Sequence, residues 1–441
     1  MAEAVRTSTR PVRASRSRRL LTAAVVAGCL VVPVLRAGPT EAVPTVAADP
    51  AVLTTWNEIA GRTIFPALPA TATPIPSSGL YFAFVSIAMY DAVATIQGGF
   101  DTYADQPLAP AHASPEVAAA TAAYRVLLEY FPGAAKSLAA EYAASLARVP
   151  DGVGKVHGQR VGEAAAAALI ASRVGDGRGA DHPLNVTPAP GVWRPTPEAF
   201  APMLVPWLGF VRPLALMSPT QIALPGPNPI TSGAYATDFA EVKAYGAKVG
   251  SARDALQTET ALFFNANAVL QYQEGMRREV TDRGLDILAG ARAFALLGTS
   301  TADAQIACWR AKYDYAYWRP ITAIRAADTD DNAATAPDPT WAPLVPTPPY
   351  GDYVSGHACV SGAASSTMSH LFGPDAIQLT LFSGVTNTYR VYNTARKLDE
   401  DTMNARIWLG LHFRRAMIDG NSLGHQVGDW AFTHQFQPLG R

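Results

Sequence analysis

Cysteine is scarce in this chain, three residues among 441. So few exclude a disulfide framework, and the two beyond residue 48, Cys308 and Cys359, lack the spacing of a zinc site. One bridge between them and a pair of buried thiols both fit the sequence. Charge is sparse as well, at 16% of residues. Segments with sustained apolar–polar alternation are missing, which argues against a β-sheet protein. Beyond residue 48 no run of about twenty apolar residues stands out, which argues against a membrane-spanning body. Apolar sequence is what abounds, at 49% of residues. That suffices for a large core and, at this length, for more than one packing unit.

The basic residues are unevenly spread. Arg6, Arg10, Arg13, Arg16, Arg18 and Arg19 precede the apolar stretch Leu20 to Leu35 and an Ala- and Pro-rich segment. This is the charged, apolar and small-residue order of an export signal. Ser17-Arg18-Arg19-Leu20-Leu21 resembles a twin-arginine signal in particular. Residues 1–48 are therefore expected to be removed near Val46-Ala47-Ala48, giving a secreted, extracellular protein of bacterial type. Val26-Ala27-Gly28-Cys29 offers a competing lipoprotein reading, but Leu30 to Leu35 would then begin the mature chain. Removal of residues 1–48 takes away seven Arg and two Glu and leaves 28 basic and 34 acidic residues, a net charge of −6. Nucleic-acid binding relies on phosphate neutralisation, so a mildly acidic body argues against such a partner.

The mature sequence reads as helical nearly throughout. Ser78 to Gln97 carries apolar residues at helical spacing, and Ser114 to Phe131 opens on a capping Ser followed by Pro. Ala134 to Arg148 and Gly154 to Val174 complete an N-terminal helical bundle over 49–174. Pro and Gly then become dense across 175–231, an irregular connection. A C-terminal helical domain over 232–441 follows. Its expected helices include Ala234 to Ala247, Leu256 to Phe264, Val280 to Tyr317, His357 to Phe372, Ile377 to Leu381, Asn387 to Arg406 and Ser422 to Phe436.

The chemistry-bearing residues lie in that second part, within about a hundred positions. Lys312 and Arg319 stand seven apart, two turns on one helical face, flanked by Tyr313, Tyr315, Tyr317 and Trp318. Pro320 ends that helix at Arg319. Ser355-Gly356-His357 follows a second Pro-rich loop and opens a small-residue helix. That is the geometry of anion binding by a helix N-terminus. Arg406 and His412 are six apart and need a helix break near Gly410 to meet one ligand. Three cations, a hydroxyl, an exposed N–H and two imidazoles suit a small tetrahedral or five-coordinate oxyanion.

In this order and spacing, Lys-x6-Arg-Pro, Ser-Gly-His and Arg-x5-His resemble the signature of the acid phosphatase and vanadium-dependent haloperoxidase superfamily, which includes the type 2 phosphatidic acid phosphatases. W-R-P-I-T-A-I-R, the loop before Ser355, the A-M-Y-D-A-V helix and G-V-W-R-P-T-P are similar to the bacterial haloperoxidase branch. The resemblance implies an all-α fold of two helical bundles of the four-helix type, with the anion site in the C-terminal bundle. A homodimer would be consistent with it.

The roles it implies are specific. Lys312, Arg319, Ser355, Gly356 and Arg406 would hold the oxygens of a vanadate cofactor, and His412 would bond the vanadium. His357 would act as acid–base group, and Lys312 would polarise peroxide for attack by halide, releasing hypohalous acid. The same pocket also suits an exported acid phosphatase or phosphoesterase, with His412 forming a phosphohistidine and no vanadate cofactor.

Three departures from the pattern bear on that choice. Val354 replaces the first residue of the usual P-S-G-H. Position 416 is Ala, where an acid often orients the last His, and the nearest acid downstream is Asp419. That absence weakens the phosphatase reading. Trp309 matches an aromatic residue of the family's halide pocket, and Tyr350 stands at a position associated with halide preference. The reading leans to bromide or iodide over chloride.

Overall fold

Many helix starts are written into the sequence as side-chain acceptors. Ser114, Ser232, Asp254, Asn267, Asp286, Ser355 and Thr394 each accept a backbone N–H from the first turn that follows. Each bond satisfies a donor that a helix leaves free. The computed structural model describes residues 48–66 and 73–440. The export signal expected over 1–48 lies, apart from Ala48, outside the described residues.

The N-terminal helices are α1 (Ala51–Ile64), α2 (Ile75–Gln97), α3 (Pro115–Tyr130), α4 (Ala135–Ala147) and α5 (Val153–Ser172). An irregular stretch with one short turn at Pro206–Phe210 leads to α6 (Gly233–Tyr245), α7 (Ala255–Phe263), α8 (Ala268–Asp282), α9 (Ile287–Tyr315) and α10 (Pro320–Arg325). After a second long loop come α11 (Gly356–Phe372), the hairpin β1 (Leu379–Ser383) and β2 (Thr388–Tyr392), α12 (Ala395–Trp408) and α13 (Arg414–His434). The all-α reading holds, with that antiparallel hairpin as the one sheet among the described residues.

The hairpin corrects the expectation of helix at 377–381 and over the start of the Asn387 to Arg406 stretch, whose remainder is α12. Leu379, Leu381 and Ser383 are buried while Thr380 and Phe382 are half-buried, a period of two that only a strand produces. Leu379 and Leu381 pack over Gly275 of α8. The run Val280 to Tyr317 is also divided. Gly284 takes a left-handed φ of 60° between α8 and α9, and Asp286 caps the new helix.

Helix α9 is the axis of the molecule. It packs on α2 along one flank and on α11 and α13 along the other, so residues 47–441 form one compact unit. Helix α2 is long and apolar enough to cross a membrane, with a mean hydropathy of 1.5, contrary to the expectation that no such run exists; 83% of that window is buried inside the protein. Its length serves the core. Helices α11 and α13 approach closely because Gly362 and Gly424 face each other's backbone, where any Cβ would collide with Asn421 or Cys359. That close pair holds the N-terminus of α11 in place behind the site.

Candidate active site

Gln305, Cys308, Trp309 and Lys312 recur at helical spacing on α9, and all four are buried. The helix stops at Ala316, whose φ of 40° is left-handed. Arg319 therefore does not continue Lys312's helix, as the spacing predicted. The chain turns back, and Arg319 is the N-cap of α10 with Pro320 in its first turn. The two cations still meet. Lys312 Nζ donates to the carbonyls of Gly351 at 2.8 Å and Asp352 at 3.2 Å. Arg319 Nε donates to Tyr350 at 2.7 Å and Nη1 to the Leu411 carbonyl at 2.7 Å.

The loop that receives those bonds runs directly into the anion-binding helix start. Ser355 Oγ caps α11 by accepting from Ala358 N, and its own N–H donates to Ala416 on α13. Gly356 begins the helix, where the first N–H groups have no partner within it. A Cβ there would press on the Trp309 ring at 3.0 Å. His357 Nε2 lies 3.2 Å from the Ala266 carbonyl.

Helix α12 ends at Trp408, and Gly410 takes a φ of 78°. That break brings Arg406 and His412 to one place despite their opposed helical phase. Arg406 Nη1 donates to the Phe264 carbonyl at 3.0 Å. His412 Nε2 stands 3.0 Å from Arg319 Nη1. The expected halide pair is also assembled, with the Trp309 and Tyr350 ring centres 5.0 Å apart. Lys312 Nζ lies 5.6 Å and 5.1 Å from those centres, and the Arg319 guanidinium 4.9 Å from Tyr350's.

Sequence reasoning missed Asp352. Its Oδ1 lies 2.8 Å from His412 Nδ1 and accepts from Phe413 N at 3.3 Å. The acid sought after His412 is supplied instead from the loop before Ser355, sixty residues upstream. A D-Y-V-S-G-H run was its only sequence signal. The Asp352 carboxylate accepting from Nδ1–H leaves Nε2 with its lone pair. Asp419, the downstream acid, faces away and pairs with Arg415 and Tyr353. Arg414 pairs with Glu241.

The electrostatics of this cluster are unbalanced. Lys312, Arg319 and Ser355 have no exposed surface, and Arg406 and His412 are 2% exposed. Burial lowers Lys312 to about 8 and Arg406 to about 10, and it lowers Arg319 as well. Burial, with the fields of the cations, drives both His357 and His412 well below the ordinary imidazole range. Burial pushes Asp352 up to about 7 against the pull of Arg319 and Lys312. Lys312 and Arg319 thus act on a single carboxylate, and Arg406 adds a third cation with none of its own. Arg319 Nη2 and Arg406 Nε are buried without any partner, a costly state for charged donors.

A ligand rich in negative oxygens relieves that cost. The walls offer donors from Lys312, Arg319, Arg406, Ser355 and Gly356 and one imidazole lone pair. Among the described residues there is no cluster of three or more His, Cys, Asp or Glu suited to a bare metal cation. The donor set fits an oxyanion such as vanadate or phosphate, held through its oxygens.

Comparison with known proteins points the same way. Residues 292–440 match the family model of the VCPO second helical-bundle domain. A vanadium chloroperoxidase of Curvularia inaequalis is 37% identical over 83 residues, a match spanning 17% of this chain and only 13% of that protein. The fold extends further. A bacterial vanadium-dependent iodoperoxidase superposes with a TM-score of 0.76 at 20% identity, over 90% of this chain and 99% of that one. A bacterial vanadium-dependent chloroperoxidase gives 0.69 at 16% identity, over 88% and 98%.

Proposed function

We propose that this chain, whose residues 292–440 match the model of the VCPO second helical-bundle domain, is a vanadium-dependent haloperoxidase. It oxidises halide with hydrogen peroxide to hypohalous acid. The observation that carries this reading is the pair of partnerless, buried donors, Arg319 Nη2 and Arg406 Nε, beside an imidazole whose unprotonated Nε2 meets an Arg319 N–H. When bound, vanadate supplies a pentavalent Lewis acid that activates peroxide.

The chain's own residues do the rest. Lys312, Arg319, Arg406, Ser355 Oγ and the Gly356 N–H hold the oxygens and neutralise their charge. His412 Nε2 would bond the central atom of the bound group, with Asp352 fixing its tautomer and ring plane. His357, driven neutral at ordinary pH, would take a proton from incoming peroxide and give it to a departing hydroxide, which leaves as water. Lys312 is the remaining proton donor of the pocket. Trp309 and Tyr350 form an aromatic wall suited to large, weakly hydrated halides, so bromide or iodide is favoured over chloride. The protein is taken to act outside the cell after loss of residues 1–48, as a homodimer.

One observation favours a second reading. The Asp352–His412 bond restores the orienting acid that the sequence around position 416 lacks, and a phosphohistidine enzyme needs it equally. Purified protein freed of oxyanions, then given vanadate or buffer, separates the two. Vanadate-dependent, peroxide-dependent bromination of a phenol dye supports the haloperoxidase. Phosphate-ester hydrolysis that vanadate inhibits supports the phosphatase and overturns it.

A further inference from the structure

The halide wall contains a phenol, and the reaction proposed above makes an electrophile beside it. Tyr350 is held by the cations of the site. Its carbonyl accepts Arg319 Nε at 2.7 Å, and that of the next residue, Gly351, accepts Lys312 Nζ at 2.8 Å. Its ring centre lies 5.1 Å from Lys312 Nζ and 4.9 Å from the Arg319 guanidinium, the groups that would hold the oxyanion. The side chain is only half-buried.

Its neighbours are less open to an electrophile. Trp309 is 1% exposed, its Nε1 donates to the Leu204 carbonyl at 3.1 Å, and its six-membered edge faces Gly356. The Lys312 amine is largely protonated at neutral pH and bonded to two carbonyls, so it is a poor nucleophile. A phenol ring, by contrast, is activated at the two carbons beside its hydroxyl. Tyr350 is therefore the carbon nucleophile of the pocket. Tyr389 and Tyr315, 56% and 40% exposed, are its counterparts on the outer surface.

We propose that Tyr350 is a self-halogenation site, at which hypohalous acid formed in the pocket marks the ring and the marked ring then weakens the hold on the oxyanion. An ε carbon beside the hydroxyl attacks the halogen. The carbon–halogen bond forms, the halogen–oxygen bond breaks, and the oxygen leaves with the electron pair as hydroxide. The ring gives the proton of that carbon to the hydroxide, which departs as water. The ring loses two electrons and the halogen gains them. Electron withdrawal by the halogen makes the phenol more acidic, against the burial that pushes it up and with the pull of Arg319 and Arg406. A phenolate there competes with the oxyanion for the charge of Arg319 and Lys312. The proposal rests on the haloperoxidase reading, which supplies the hypohalous acid.

The test gives vanadate-loaded, full-length protein peroxide and bromide, with excess free methionine to destroy any hypobromous acid that leaves the protein. Tyrosine peptides are mapped by mass spectrometry, and bromination of a phenol dye is followed in a parallel sample without methionine. Tyr350 should gain one bromine in place of hydrogen while Tyr389 and Tyr315 stay unmarked. The marked protein should bind vanadate about tenfold more weakly, the loss of one charge-assisted contact. Tyr350→Phe, whose ring lacks the activating hydroxyl, should hold its own starting rate over the turnovers in which the wild type declines. The wild-type mapping stands without the variant, should it fail to fold. Dye bromination with Tyr350 unmarked, or with Tyr389 marked first, would overturn the proposal and leave the haloperoxidase reading intact, as would an equal decline in Tyr350→Phe. No dye bromination at all overturns both.

Discussion

The helices α1–α5 and the region around α9–α13 bury their polar groups for opposite ends. In the first, the buried carboxylate and amide side chains on the helices find partners inside the protein, and the groups left without one, Trp56 Nε1 and Ser86 Oγ, are neutral. Asn57 receives Arg277 and donates to Gln273 at 2.7 Å, and Thr121 meets both the Val117 carbonyl and Tyr142. Asp91, pushed up to about 7 by burial, still accepts from Tyr103, Ala104 and Gln106. Around α9–α13, equally buried Arg319 and Arg406 keep donors with no partner. Equal burial with unequal satisfaction marks the second region as a place built for a guest, because an unpaired buried charge lowers stability.

Substitutions on the two sides should therefore fail differently. The largest effect is expected at His412→Ala, which removes the imidazole nitrogen that faces Arg319 and would bond the guest. Halide oxidation should vanish, by three orders of magnitude or more on the scale of about 10³–10⁶ for losing a central catalytic group, while the thermal transition stays in place. Full turnover in the variant would sink the site assignment. Phe82→Ala, in the fully buried face of α2, should do the reverse. It should cost about 3–5 kcal/mol of stability in chemical denaturation and leave oxyanion affinity per folded molecule unchanged.

Arg406→Met sharpens the contrast, because one change should move the two properties in opposite directions. Loss of charge-assisted hydrogen bonds should weaken oxyanion binding by about 1.5–3 kcal/mol, roughly ten- to a hundredfold. Removing an uncompensated buried charge should meanwhile raise the melting temperature of the ligand-free protein. Calorimetric titration and thermal unfolding of the same sample check both, and a lower melting temperature would contradict the comparison.

How much of this was legible in the sequence differs between the regions for a physical reason. Helix existence follows from local signals such as Ser114-Pro115 and the apolar spacing of α2, and these are readable one segment at a time. The site residues were legible because Lys312, Arg319, Ser355, Gly356, His357, Arg406 and His412 keep a fixed order. What joins them was only partly so. The six-residue spacing of Arg406 and His412 announced the break at Gly410, but Ala316 turning left-handed and Asp352 reaching His412 have no periodicity to announce them. The hairpin at 379–392 failed for a related reason, since its alternation spans only five residues and makes sense only against Gly275 of α8.

Asp352→Asn tests the residue the sequence hid. The amide keeps the size of the side chain but removes the carboxylate that fixes the His412 tautomer. Turnover should fall about 10–100-fold, the range for an outer partner of a ligating His, with little change in stability. Asp91→Asn on the N-terminal side is its control. It should leave turnover untouched, and a matching loss there would remove the distinction between the two aspartates.

The smallest expected effect is a pH dependence, and its sign follows from Lys312. Burial, helped by Arg319, holds that ammonium at about 8 in the ligand-free protein, although Cys308 and Asp352 oppose the shift. A bound oxyanion favours the charged amine and raises it. Below about 8 Lys312 is already protonated in the free protein, so Lys312 takes up no proton on binding there and its share of the affinity should be flat. Above it, each binding event must first capture a proton, and affinity should fall about tenfold per pH unit by linkage. Tungstate, whose own charge is constant over this range, isolates the protein's share in a calorimetric titration from neutral pH to about 9.5. Lys312→Arg should erase the slope because guanidinium stays protonated throughout. A slope that survives Lys312→Arg would have to come from the site's other titrating groups, Asp352 at about 7 or Arg406 at about 10.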